Sequence, residues 1–305
     1  MKQFIICLLW FVGVIQSLGF SLQKNKTQED YTYYLSVCGF FRNEGLYLKE
    51  WIEYHRLIGV DHFYLYNDIS KDNYQEILAP YIEEGIVELF HTNPNPKRRS
   101  HVQDQTKAYN ECIKNSAGVT KWLAIIDLDE FILTKNYEKI SDFLKQFDDS
   151  PDIAAVEMAW KLFGTSGFQK LPTDSLMIEN LTWCAPNNYT DKVDPDHRRV
   201  KSILRPETVE RMQIHQGKYT KGYLVYPNDV ISKKPMENYD EIQLNHYWTR
   251  DEEFFHNVKI PRRLPTMPRN YDKNALKKLD DLNQEQDLEI LKYVPRLKNI
   301  MGMNI

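Results

Sequence analysis

Three carboxylates, Asp127, Asp129 and Glu130, follow directly on the apolar run Trp122 to Ile126. The run has the length of one buried strand and is rich in β-favouring residues. On an extended backbone Asp127 and Asp129 project to one side, and Leu128 points back into the core. Two hard oxygen donors at one strand end suit Mg2+ or Mn2+, which bring phosphates with them. At the carboxyl end of a strand in an open α/β sheet, a nucleotide ligand is expected. The plainer alternative is that the acids cap a following helix. Against it, Phe131 and Ile132 resume the apolar pattern at once. Carboxylates wedged between buried residues need something to neutralise them.

The elements that must position these acids are legible upstream. Tyr33 to Gly39 predicts a strand, Leu46 to Ile58 a helix closed by Gly59, and Val60 to Tyr66 a second strand. Tyr74 to Glu84 predicts a helix ended by Gly85, Ile86 to Phe90 a strand, and Gln103 to Lys114 a helix leading into the acidic strand. This alternation argues an α/β fold with a parallel sheet and right-handed crossovers. The loops beyond the strands carry Arg42, Asn43 and Glu44; then Asp68, Ser70 and Asp72; then Lys97, Arg98 and His101; then Asp127 and Asp129. All would lie along one sheet edge, where a site is expected. Further on, Tyr137 to Phe147 predicts a helix capped by Ser141 or the preceding loop, and Ile153 to Trp160 a strand. Short segments between residues 176 and 226 suggest an antiparallel extension. Gln243 to Thr249 is a last strand or a lid, and Asp251 to Lys259 is helical.

The chain of 305 residues has a formal net charge of −4, 42% hydrophobic and 27% charged residues. That is a globular composition, and no global field favours nucleic acid. Aromatic residues make up 13%, which suits carbohydrate or nucleoside surfaces as well as ordinary cores. Residues 1–22 form a basic start, an apolar stretch and small residues at Ser17 and Gly19. They predict a secretory signal or an N-terminal membrane anchor, hence a secreted, periplasmic or membrane-anchored location. Residues 23–32 are a linker, 33–260 the main domain and 261–305 a charged, partly helical surface tail. Cys38, Cys112 and Cys184 have neither zinc-site nor disulfide-framework spacing. Asn25, Asn180 and Asn188 head glycosylation sequons.

Five blocks in order resemble glycosyltransferase family 92 and its bacterial family-2-like relatives. They are the run from Phe41 through Arg42, Asn43, Glu44 and Gly45 to Asn67, then Lys121 to Phe131, then Trp160 to Gly167. Lys201 to Pro206 with His215, and Asn245 to Trp248, complete them. The resemblance implies a GT-A fold, with one nucleotide-sugar-binding domain on a mostly parallel, mixed sheet flanked by helices. It implies transfer of a hexose, typically galactose, from its UDP ester to a glycan hydroxyl with inversion. It also implies a divalent cation, Mn2+ or Mg2+, held by the Asp-x-Asp.

On that resemblance Asp129 is the expected direct metal ligand, with Asp127 nearer the ribose and metal and Glu130 in support. A further ligand from a C-terminal histidine points to His246, with His215 as the alternative. Lys201, Arg205 and Arg250 are candidates for the diphosphate, since fixed cations complement its charge. Arg42, Asn43, Glu44 and Asp68 would meet the uridine, although Glu44 is equally placed to cap the helix from Leu46. An inverting reaction needs a general base, and Glu157, Glu179, Asp194 and Asp196 are the acidic candidates. Trp160 and Phe163 would stack on the acceptor sugar. The rival from another class is a non-catalytic glycan-binding or scaffold protein that keeps the fold.

Overall fold

The computed structural model describes residues 30–93, 101–187, 189, 200–226, 230–231, 239–263 and 279–304. The predicted alternation is present: β1 (Tyr33–Phe41), α1 (Gly45–Leu57), β2 (His62–Asn67), α2 (Tyr74–Glu83), β3 (Val87–His91), α3 (His101–Ser116) and β4 (Thr120–Ile125). β1 pairs in parallel with β2 and β4, and β2 with β3. Beyond β4 the sheet becomes mixed. β8 (Val200–Leu204) runs antiparallel to both β4 and β6 (Ile153–Leu162). β11 (Tyr223–Tyr226) extends the sheet alongside the first half of β6 and pairs with β12 (Val230–Ile231), while β7 (Trp183–Cys184) and the pair β9 (Val209–Met212) and β10 (Gly217–Tyr219) lie outside it.

Alternation along β1 explains why both faces are covered. Leu35, Val37 and Phe41 join the main core under α1, whereas Cys38 and Phe40 join a second cluster under α3 with Tyr109 and Cys112. Cys38, Cys112 and Cys184 are buried free thiols, as small hydrophobes would be. Gly59 has φ +100°, and a Cβ there would lie 2.6 Å from Ser141 Oγ. Only glycine fits that helix end.

Four expectations are corrected. The helix predicted from Tyr137 begins at α4 (Ile140–Leu144) and tightens into a 3-10 turn through Phe147. Its N-cap residue is Lys139, and Ser141 lies under Gly59 instead of capping. The segment 176–183 folds as a short helix, Met177–Asn180, before a two-residue strand. The described C-terminal residues from Ile290 on are not a surface tail. Ile290, Tyr293, Val294 and Leu297 recur at helical spacing and are buried in the main core.

The last strand is no lid either. β13 (Ile242–His246) is inserted between β6, to which it is parallel, and β5 (Glu130–Thr134), to which it is antiparallel. α1 holds β5 as well. Trp51 Nε1 donates to the Glu130 carbonyl at 2.9 Å, and the Tyr54 hydroxyl to the Ile132 carbonyl at 2.8 Å. Buried carbonyls without strand partners need such donors. Tyr54→Phe is expected to lower stability by about 1–3 kcal/mol, read as a lower urea midpoint at unchanged slope.

Candidate functional site

The chain leaves the sheet at Ile126, whose N–H donates to the Cys38 carbonyl at 3.2 Å. The turn that follows is tied by Glu130, whose Oε2 accepts from the Asp127 N–H at 2.8 Å. Glu130 is fully buried. Burial pushes its carboxyl well above the usual range, Lys201 offsets this only in part, and Asp127 and Asp129 add to it. Of the three acids it is the one whose charge burial opposes most, with Lys201 Nζ 3.8 Å from its Oε2.

Asp127 Oδ1 accepts from Gln105 Nε2 and from the Tyr109 hydroxyl, both at 2.8 Å, and Oδ2 from Lys201 Nζ at 2.9 Å. Burial opposes its ionisation, but the Lys201 ammonium and these hydrogen bonds outweigh it and hold the carboxyl below its ordinary value. Asp129 is ionised by other partners. Burial again opposes, while the Lys259 ammonium at 2.5 Å holds it well down. His246 Nε2 lies 3.5 Å from Asp129 Oδ1. Burial lowers the His246 pKa despite that neighbour, so the imidazole is neutral at pH 7. The Tyr247 N–H donates to the Asp129 carbonyl at 2.8 Å, fixing the end of β13 to the turn.

An ionised carboxylate oxygen and a neutral imidazole nitrogen 3.5 Å apart are a donor pair that suits a Mn2+-type ion. Among the described residues no three His, Cys, Asp or Glu side chains form a closed ligand group. Such an ion takes few protein donors when phosphate oxygens and water complete its shell. The residues present thus fit an ion that arrives with a diphosphate.

A second polar cluster caps β1 and β2. Asp68 is buried, with Arg42 Nε at 3.9 Å, His101 Nδ1 at 3.3 Å and the Thr92 hydroxyl at 3.3 Å. Asn43 has φ +54° and joins the two loops, since its Oδ1 accepts from the Lys71 N–H at 2.8 Å. Glu44 does not cap α1 with its side chain. It pairs with Arg250 at 2.5 Å, and that buried guanidinium lies between the rings of Tyr47 at 3.9 Å and Phe254 at 4.5 Å. Trp160 lies 4.2 Å from the His246 ring, and His215 meets the same indole edge-on at 5.1 Å. His246, rather than His215, is the histidine beside Asp129.

Several sequence-based placements are corrected. Lys201 is fully buried and committed to Asp127, so it holds the turn instead of presenting a charge to a diphosphate. Arg205 lies at the other end of β8, stacked 4.2 Å over Trp122 and donating to the Phe147 carbonyl at 2.6 Å. Phe163 is a buried core ring against Tyr247 and cannot stack on a sugar. Glu157 shares the side of β6 that carries Ala155 into the second core and accepts from Ser202 at 2.8 Å. Glu179 accepts from Lys298 at 2.6 Å beside the C-terminal helix. Asp194 and Asp196, like Lys97, Arg98 and residues 1–22, lie outside the described residues. Gln105, Tyr109 and Lys259 were not anticipated. The first two sit one turn apart on the buried face of α3, where a glutamine among apolar neighbours was the available signal. Lys259 had none.

The profile described as Glycosyltransferase family 92 matches residues 31–290. A family 92 protein of Ricinus communis is 26% identical over 182 residues, covering 59% of this chain and 30% of that protein. A galactan β-1,4-galactosyltransferase of Arabidopsis thaliana is 26% identical over 215 residues, covering 68% and 41%. This chain therefore spans less than half the length of these relatives. A mannosyltransferase of Pyrobaculum calidifontis, solved with GDP-Man and Mn2+, is 13% identical with a TM-score of 0.41, covering 88% of this chain and 68% of that one.

Glu157 supplies a pH test. Burial pushes its carboxyl up to about 8, with the Ser202 hydrogen bond only partly offsetting it. A carboxyl raised above its unfolded value destabilises the fold as pH climbs between the two. Glu157→Gln removes that dependence. Its stability relative to wild type should be higher at pH 8 than at pH 5, by about 3 kcal/mol in urea melts.

Proposed function

The chain belongs to glycosyltransferase family 92, and we propose that it transfers a hexose, galactose in the first instance, from a UDP-sugar to a glycan hydroxyl with inversion. The observation that carries this is the turn at the carboxyl end of β4, where ionised Asp129 lies 3.5 Å from neutral His246. The mixed α/β sheet around it is of the GT-A type. The similarity to a galactan galactosyltransferase supports the choice of sugar.

Asp129 and His246 would hold a divalent ion, Mn2+ or Mg2+. When bound, that ion supplies Lewis-acid stabilisation of the departing diphosphate. The rest falls to the chain's own side chains. Lys201, Gln105 and Tyr109 fix the Asp127 carboxylate, which keeps one quarter of its side chain exposed for a donor hydroxyl. Asp68, clamped by Arg42 and His101, would accept from the base or ribose at the neighbouring strand ends. Trp160 offers a partly exposed ring beside His246 for the acceptor sugar. Glu157 and Glu179 are hydrogen-bonded elsewhere, which leaves Asp194 and Asp196 as the candidate bases. An N-terminal signal or anchor would place this chemistry on the exported side of a membrane.

Calorimetry with UDP should show binding in Mn2+ that disappears with chelator. Asp129→Ala should lose this binding and lower turnover of UDP-galactose by about a hundredfold or more. A protein that binds UDP in neither condition and turns over no UDP-hexose is a non-catalytic member of the family.

A further inference from the structure

Lys259 is the cation nearest to Asp129, and it stands where a metal's charge would act. Its Nζ lies 2.5 Å from Asp129 Oδ2, and each side chain is 11% exposed. His246 faces the other oxygen, Oδ1. A divalent ion between Oδ1 and His246 would share one carboxylate with the ammonium, in a setting where water screens poorly. The two cations therefore oppose each other at Asp129.

The backbone around Lys259 departs from the regular helix. It ends a π-helical turn, Phe255–Lys259, a rare form that recurs at functional sites. The segment is fastened at its start, where Asp251 accepts from the N–H groups of Phe254 at 2.7 Å and Leu171 at 2.8 Å. Its far end is tied to the turn through the Lys259–Asp129 pair, next to Ile260, which packs with Trp248 and Leu282. Charge accounting says what the released ammonium would meet. One carboxylate, one divalent ion and one diphosphate diester leave a single negative charge, which a lysine neutralises.

Resting on the assignment of Asp129 and His246 as the cation site, we propose that Lys259 is the resident counter-ion of Asp129. An arriving divalent ion displaces it, and its ammonium then pairs with the diphosphate of the nucleotide. Lys259 is a positioning residue in the ion-free protein and a diphosphate contact in the loaded one.

The test titrates the full chain with Mn2+ alone and with UDP plus Mn2+. Lys259→Met keeps the aliphatic stem near Trp248 and removes the charge. It should bind Mn2+ alone about tenfold more tightly than wild type, yet bind UDP in saturating Mn2+ more weakly. Lys259→Arg, which retains a cation, should bind Mn2+ alone as weakly as wild type. In the unaltered protein, Mn2+ alone should speed amide exchange across residues 255–263, a measurement independent of whether either variant folds. Equal Mn2+ affinity in wild type and Lys259→Met, or exchange unchanged by Mn2+, overturns the proposal while leaving the cation site intact. Failure of Mn2+ to bind wild type and variant alike, with or without UDP, removes the cation site and this proposal with it.

Discussion

Everything at the tip of β4 follows from the cost of burying carboxylates. Asp127, Asp129 and Glu130 fall in one short turn between two apolar strands, where an isolated charge is strongly disfavoured. The fold meets each differently. Asp127 has Lys201, Asp129 has Lys259 and His246, and Glu130 shares Lys201 at 3.8 Å while accepting the Asp127 N–H. Two anions thus meet two ammonium groups, and the third acid closes the turn by accepting the Asp127 N–H. Breaking one such pair strands a buried charge, so the arrangement is rigid for as long as its cations stay.

The sheet exists in this form to bring those partners together. Lys201 comes from β8, antiparallel to β4 in the register that pairs Ile125 with Ser202. His246 ends β13, paired opposite Glu130 on β5. Lys259 comes from the π-helical turn beyond. Gln105 and Tyr109 reach in from α3 on the other face. A one-residue slip of β8 would turn Ser202 toward Asp127 and Lys201 into the second core.

Much of this was readable from the chain, for reasons specific to each part. The alternation through β4 rests on local hydrophobic period and glycine stops, and both survive in the structure. The switch from Ile126 to Asp127 marked the site because acids after an apolar strand need an explanation. Less legible was anything decided by pairing between distant strands. Nothing local in Ile242 to His246 says that it inserts beside β5. Arg205 carries the charge a diphosphate would want, but β8 runs antiparallel to β4 and delivers it to the opposite edge. Phe163 has the ring a sugar would want, and core packing claims it.

The insertion of β13 also bears on how the chain acquires its shape during synthesis. Among the described residues β5 has no strand partner except β13, more than a hundred positions later. A nascent chain can pair β1 to β4 as they emerge and offer β5 the α1 donors Trp51 and Tyr54, but the strand partner of β5 arrives only with the C-terminal third. Closure of that loop is a late, non-local step, and slow pairing of this kind is where aggregation competes with folding.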